Sequence, residues 1–446
     1  MSVFRLINLS RADDRLIALE RVMAIFALIL IATSWPLWWA SSSFPIIPLL
    51  PGLSSLPVAI DRLLVILLLL GLGGLLLPRR ITARNWLRVV VPILFALLIL
   101  LDQHRIQTWS YQFTGMLLLF ACRNDKSDES VERTGTTAEK TLRLTQFFIV
   151  SIYIYSALSK LDRHFITGGG FFLTRGMLEL IGVDTGILSD SQLSIATSLL
   201  PIYELLVGCL LLFRGSQRFA LIGSIVLHFA LLLILGPWGL RHSWGVLIWN
   251  GYFIAQNLLL FEWSPLVKNV EISGEDATDR TPVEAVRTPR GWKKRAGYVL
   301  FAALILLPAT EPWGYWDHWP SWAVYTSRQE RFLILVEEPY DQPLPEEITA
   351  HLSPPRPLET LRFLNVNAWS LEAKHVPTYP QSRFQLGVWR YLKERYPDLN
   401  TQVTIEDGLD RFSTDRLREV FLEDENIESL DERYWLNSHP RLTGTR

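Results

Sequence analysis

Residues 145–170 read TQFFIVSIYIYSALSKLDRHFITGGG. The stretch opens as an apolar helix and ends in charge. On a 3.6-residue period, Gln146, Tyr153, Ser156, Lys160 and His164 fall along one face, and the rest is Phe, Ile, Val, Leu and Ala. One polar stripe thus runs along a greasy helix and reaches a lysine, followed by Leu161, Asp162, Arg163 and a triple glycine. An ionisable residue at the edge of a membrane helix is a functional-site candidate. The plainer reading is that the Lys160 ammonium snorkels into the headgroups.

Around this stretch the composition is that of a multi-pass membrane protein. The chain has 446 residues, 49% of them hydrophobic, with 17 Trp and a mean hydropathy of +0.21. Soluble domains carry neither that apolar content nor repeated apolar runs of about 20 residues. A net charge of -1 and the absence of a basic patch give no reason to expect a nucleic-acid partner. Cys122 and Cys209 have no metal-ligand or redox spacing, so neither a metal nor a disulfide framework is expected. The first apolar run reads as a signal anchor.

The expected fold class is an all-α multi-pass transmembrane helix bundle with a small C-terminal α+β extramembrane domain. About nine spans are expected, near 20–40, 61–78, 86–101, 106–122, 143–160, 192–213, 218–236, 243–262 and 295–310. Lys and Arg collect on alternate sides: Arg79, Arg80 and Arg84 join the second span to the third, whereas residues 41–60 contain none. By the positive-inside rule the N-terminus is cytoplasmic in the inner membrane and the C-terminal domain is extracytoplasmic. The expected domains are a transmembrane unit over 1–265, a cytoplasmic linker over 266–294, a last span over 295–310 and the outer domain over 311–446. Residues 123–140 and 271–290 read as solvated linkers.

After the last span, Trp313, Tyr315, Trp316, Trp319 and Trp322 read as an interfacial aromatic belt. Beyond it, 331–337, 361–367 and 401–405 read as strands and 382–396 as an amphipathic helix. Ser413, Thr414 and Asp415 read as the N-cap of a further helix.

Span topology places Lys160, Asp162, Arg163, His164, Asp102, Arg105 and His242 together at the outer face. Trp109 and Tyr111 stand beside them. Aromatic walls with a few charged groups suit a flat amphiphile such as a quinone headgroup; an ordinary interfacial belt is the alternative. Deeper, Glu204 and His228 fall at matching depth on adjacent antiparallel helices. They read as a polar clasp, Glu204 bonding His228, Tyr203 or Asn250, or as a proton relay.

Residues 157–168, ALSKLDRHFITG, preceded by Tyr153 and Tyr155, resemble the A-x-x-K-L-(D/N)-x-x-(W/F)-x-x-G pattern of the horizontally transferred transmembrane (HTTM) domain. That domain is shared with the vitamin K-dependent gamma-carboxylases and, more distantly, is similar to DoxX/MauE-like membrane proteins. LDQHRIQTWSYQF and VLHFALLLILGPWGLRHSWGVLIWN resemble two further blocks of that family. The resemblance covers roughly residues 10–265. It implies an active site at the outer side and a reduced quinone, vitamin K-like, as cofactor. In the carboxylases the second lysine of K-K-L-D is the base that activates reduced vitamin K; Lys160 matches it and Ser159 replaces the first. A lysine in a dehydrated pocket gives up its proton more easily, and Arg163 or Arg105 could assist as a neighbouring cation. Trp109 stands where the carboxylases carry a histidine, which speaks against glutamate carboxylation and leaves quinone binding open.

Two functions follow as expectations. In one, the protein binds a quinone-like lipid at the outer face, with Lys160 catalytic as the proton acceptor and Trp109, Tyr111, Tyr153, Asp162 and His242 lining the site. In the other, it is a non-catalytic membrane scaffold whose outer domain docks a periplasmic protein. In either, the lipid bilayer is a partner.

Overall fold

The computed structural model describes residues 12–40, 43–78, 84–122, 137–261, 291–326, 328–337, 344–355, 357, 359–408 and 417–441. The bundle begins with α1 (Ala12–Thr33), the single turn α2 (Trp35–Trp38), α3 (Val58–Leu75), α4 (Arg84–Leu101), α5 (Thr108–Ala121) and α6 (Thr137–Lys160). It continues with α7 (Phe171–Leu180), α8 (Asp190–Leu211), α9 (Gln217–Leu235), α10 (Trp244–Leu260) and α11 (Gly291–Leu306). A helix thus overlaps each of the nine expected spans. Among the described residues, six helices are long and apolar enough to cross a membrane: Ala12–Thr33, Val58–Leu75, Ala138–Lys160, Asp190–Leu211, Gln217–Leu235 and Arg295–Trp313. The 14 residues of α5 rise only about 21 Å, short of a hydrocarbon core of about 30 Å. The outward faces are apolar: Leu70, Phe219, Ile195 and Val299 are each at least 66% exposed. Water does not favour such a surface; lipid does.

The helices pack closely where small residues permit. A Cβ on Gly208 of α8 would lie 2.9 Å from the Tyr153 Cβ of α6, so glycine is what lets these two helices meet. At the end of α6, residues Phe165–Gly169 form one wide turn. Gly170 follows, and a Cβ there would collide with the Phe165 ring and Thr197. Neither Pro92 in α4 nor Pro201 in α8 interrupts its helix.

The C-terminal domain is built on a four-stranded antiparallel sheet, order β2-β1-β3-β4, from β1 (Arg331–Glu337), β2 (Leu361–Phe363), β3 (Thr401–Glu406) and β4 (Arg418–Phe421). The register pairs Leu333 with Thr404 and Leu335 with Phe363. The helices are α12 (Glu346–Thr349), α13 (Val366–Lys374), α14 (Ser382–Arg395) and α15 (Asp424–Glu428). Three expectations hold closely here: 331–337 and 401–405 are strands and 382–396 is a helix. Two are corrected. The strand expected to reach residue 367 stops at Phe363, because Asn365 caps α13 by accepting from Ala368 N at 2.9 Å. The cap at Ser413–Asp415 lies outside the described residues, and Arg418–Phe421, where its helix was expected, is a strand. The expected linkers over 123–136 and 271–290 also lie outside the described residues, while 137–140 already belongs to α6.

The domain does not hang free. Its core includes Phe44, Ile47 and Ile106, which come from the loops at one end of the bundle. A buried cluster fastens the same end. Arg105 donates to both carboxylate oxygens of Asp61, at 2.8 and 3.1 Å, and to the carbonyls of Leu37, Trp38 and Leu98. Both side chains are fully buried. Arg441, near the end of the chain, adds a third arm to Asp61 at 3.4 Å. Asp317 accepts from Arg383 and Tyr379, joining the segment after α11 to α14. Burial would raise the Asp317 carboxyl, but the Arg383 guanidinium overcomes this and holds it below the usual range. Desolvation lowers the His104 imidazole to about 3, so it is neutral. Its Nε2–H donates to the Pro377 carbonyl at 3.0 Å.

Candidate functional site

Between the bundle and the domain lies a cavity of about 480 Å³. Its floor is polar. Lys160, at the last position of α6, lies 3.1 Å from the Glu204 carboxylate of α8 and also donates to the hydroxyl and carbonyl of Ser156. The three N–H bonds of the ammonium are thereby spent on the protein itself. One helical stretch away, Tyr153 OH lies 2.6 Å from His228 Nε2, and His228 Nδ1 lies 2.8 Å from Asn250 Oδ1. Asn257 donates to the Tyr153 oxygen at 2.7 Å and to Ser224 at 3.2 Å. These partners fix the proton positions. The Asn250 amide donates to Val246 O, so its oxygen faces His228. An amide oxygen only accepts, so His228 Nδ1 carries the proton and Nε2 accepts from Tyr153.

The walls are apolar and aromatic: Trp109, Trp249, Phe253, Trp319, Trp322, Leu200 and Leu231. Trp249 is held by its Nε1 donating to Gln112 at 2.8 Å, and Gln112 donates to Gln256 at 3.0 Å. The roof belongs to the C-terminal domain: Phe332, Phe363, Asn365, Asn367, Thr378 and Gln381. At the mouth His242 takes an N–H from Ser243 on Nδ1 and faces Tyr325 OH at 3.1 Å. Burial lowers the His242 imidazole from its ordinary value. A floor of paired charges, aromatic walls and a roof of Phe rings and amides, with Glu330 and Arg331 also in the lining, can seat a flat, largely apolar molecule with polar edges.

Of the residues expected from the sequence, Lys160, Tyr153, Trp109, His242, Glu204 and His228 line this one cavity. Tyr111 does not; it lies behind the wall, 5.6 Å ring to ring from Trp322. Nor does Asp162, which accepts from Phe165 N at 2.8 Å and lies 3.6 Å from Arg328. Asp102 and Arg105 belong to the seam between bundle and domain, and Arg163 is exposed. No arginine therefore assists Lys160 in the way expected; its ionic neighbour is a carboxylate. The expected Glu204–His228 clasp is likewise corrected. Both residues face the cavity, but Glu204 bonds Lys160 while His228 bonds Tyr153 and Asn250. The matching of depths counted from the cytoplasmic ends of the two helices. In the structure α8 runs about 21 Å beyond Glu204, past the end of α6, so Glu204 lies level with Lys160.

The aromatic belt is also divided. Trp313 and Tyr315 are exposed, whereas Trp322 is 1% exposed and, with Trp319, turns inward to the cavity. Sequence reasoning did not anticipate Asn257, Ser224, Trp249 or any roof residue. Asn250 and Asn257 lie two turns apart on α10, and that polar spacing in an apolar helix was the available signal. The roof has no such signal. Among the described residues there is no group of three or more His, Cys, Asp or Glu that could hold a metal ion. Compared with family models, curated proteins and solved structures, the chain gives no match.

Proposed function

We propose that the chain is an integral inner-membrane protein of the HTTM, carboxylase-like kind. In this reading it binds a quinone-like lipid in the cavity and uses Lys160 as a base. The observation that carries the reading is the cavity itself: aromatic walls above a buried Lys160–Glu204 pair at 3.1 Å. A reduced quinone brings a flat ring and two acidic O–H groups, which those walls and that floor complement. For Lys160 to take a proton, its own must first pass to Glu204, its bonded neighbour. The cavity takes a ring without requiring glutamate carboxylation.

Gly245 lines the cavity, and a Cβ there would meet nothing within 4 Å, so Gly245→Trp fills the space without straining the backbone. A short-tailed 1,4-naphthoquinone is expected to bind the purified protein in detergent at one equivalent. Gly245→Trp should weaken this by at least about tenfold, roughly 1.4 kcal/mol. Lys160→Arg, which keeps the charge but cannot give up its proton, should bind the quinone yet lose oxidation of the hydroquinone by dioxygen. Unchanged binding by Gly245→Trp would place the quinone elsewhere and end this reading.

We further propose about nine membrane crossings with the N-terminus cytoplasmic and residues from Trp313 onward outside. Alternation of Lys and Arg supports this, as does the gathering of the loops after α1, α4 and α11 beneath one domain. A cysteine at Glu425 should react with an impermeant thiol reagent in intact cells and one at Asp128 should not. The opposite pattern means an inverted chain.

A second reading, a non-catalytic scaffold docking a periplasmic protein, has one observation in its favour. Edge strand β4 leaves Val420 half exposed between the still more exposed Leu417 and Leu422. Under this reading Gly245→Trp has no phenotype in cells.

A further inference from the structure

The Tyr153–His228–Asn250 chain is a second acid–base unit in the cavity, separate from the lysine. It rests on the reading of the cavity as a site for a ring bearing hydroxyl groups. The three side chains come from α6, α9 and α10, and all three line the cavity. The ring of His228 lies against Phe253, centroids 4.6 Å apart and planes within 14°, which fixes its plane. Its Nδ1–H is committed to Asn250 and its bare Nε2 to the Tyr153 hydroxyl, as the bond directions above require. The imidazole is therefore held as the tautomer that can accept one more proton, and only through Tyr153.

We propose that Tyr153 takes the proton of a cavity-bound phenolic O–H and passes its own to His228, making this chain a second proton acceptor beside Lys160–Glu204. The step balances. The ligand O–H bond breaks and an O–H bond forms at Tyr153; the former Tyr153 O–H bond breaks and an N–H bond forms at His228 Nε2. The products are a ligand phenolate and an imidazolium, with no electron transferred. The imidazolium then donates from both nitrogens, to Tyr153 and to Asn250, so neither of its protons is left unpartnered. Asn257 donates to the Tyr153 oxygen throughout, which holds the phenol in line. Tyr153 touches the ligand and is the catalytic residue of the pair; His228 acts through it and is a positioning and proton-storing residue.

The arrangement also narrows the substrate. Tyr153 and Lys160 stand two turns apart on one face of α6, about 10.5 Å of helix rise, and their side chains reach into a common space. Two acceptors on one floor suit a ring with hydroxyls on opposite edges better than a ring with one.

The test uses 4-nitrophenol, whose phenolate absorbs in the visible, on the purified full-length protein. Its binding is followed by competition with the naphthoquinone, and its ionisation by the phenolate band across pH. The bound phenol is expected to ionise about one pH unit lower than the free phenol, a tenfold change. Tyr153→Phe and His228→Gln should still bind it but lose that shift. Tyr153→Phe keeps the ring that packs between the helices and decides the matter alone if His228→Gln fails to fold. A shift that persists in Tyr153→Phe, or no shift in the wild type despite binding, overturns the relay and leaves the cavity reading standing. Failure of the phenol and the quinone to compete overturns both.

Discussion

Asp61→Ala is expected to destabilise the protein by about 3–5 kcal/mol, the largest single effect where the bundle meets the C-terminal domain. Asp61 has no exposed surface and accepts from two guanidiniums, those of Arg105 and Arg441. Removing it leaves the fully buried Arg105 without its counter-charge. Its contacts with Leu37, Trp38 and Leu98 carbonyls satisfy hydrogen bonds but supply no net charge. Asp61→Asn should recover part of the loss, because an amide oxygen still accepts. Arg441→Ala should cost less than Asp61→Ala, since Arg105 remains bonded. Unfolding in increasing denaturant, read by tryptophan fluorescence in detergent, measures all three. An Asp61→Ala protein within about 0.5 kcal/mol of wild type would show that the cluster does not fasten this end.

The second large effect is at the cavity floor. Lys160→Met leaves Glu204 with a buried charge and no cation, at an expected cost of about 2–3 kcal/mol. This is below the figure for a fully buried pair because the Glu204 side chain keeps 16% of its surface exposed. Adding Glu204→Leu should restore most of that loss, because a Met–Leu pair needs no counter-charge. The interaction between the two substitutions should exceed about 1 kcal/mol. Strict additivity in the same unfolding measurement would mean that the 3.1 Å contact carries no coupling. Binding of the naphthoquinone is expected to survive in the double variant and hydroquinone oxidation to be lost, which separates the fold from the chemistry.

Much of this architecture is legible along the chain. Helices are local: an apolar run of sufficient length must satisfy its own backbone, and only a helix does so within one segment. The runs were therefore enough to place a helix at every expected span, and the 3.6-residue period placed Gln146, Tyr153, Ser156 and Lys160 on one face before any neighbour was known. Each of those side chains does meet a polar partner: Gln146 the Leu260 carbonyl, Tyr153 His228, and Ser156 and Lys160 each other, with Glu204 beyond. Strands β1 and β3 were equally plain, because the short apolar run of RFLILVE and the alternation of TQVTI are also local.

Partnership is not local, and there the tertiary structure decided. Glu204 took Lys160 rather than His228 because α8 extends past the end of α6, an offset that neither helix encodes alone. Tyr111 and Asp162 face away from the cavity although Trp109 and Lys160, each two residues earlier, line it, since two residues turn a helix by about 200° and α6 ends at Lys160. Trp319 and Trp322 left the expected belt for the cavity wall. The roof begins at Phe332, more than 100 positions beyond Lys160, Glu204 and His228, and no periodicity connects them. The sequence by itself determined which segments are helices and which face of α6 is polar, because both follow from the backbone and its repeat. Which polar group answers which, and that a domain closes over them, depended on the packing of whole helices against one another.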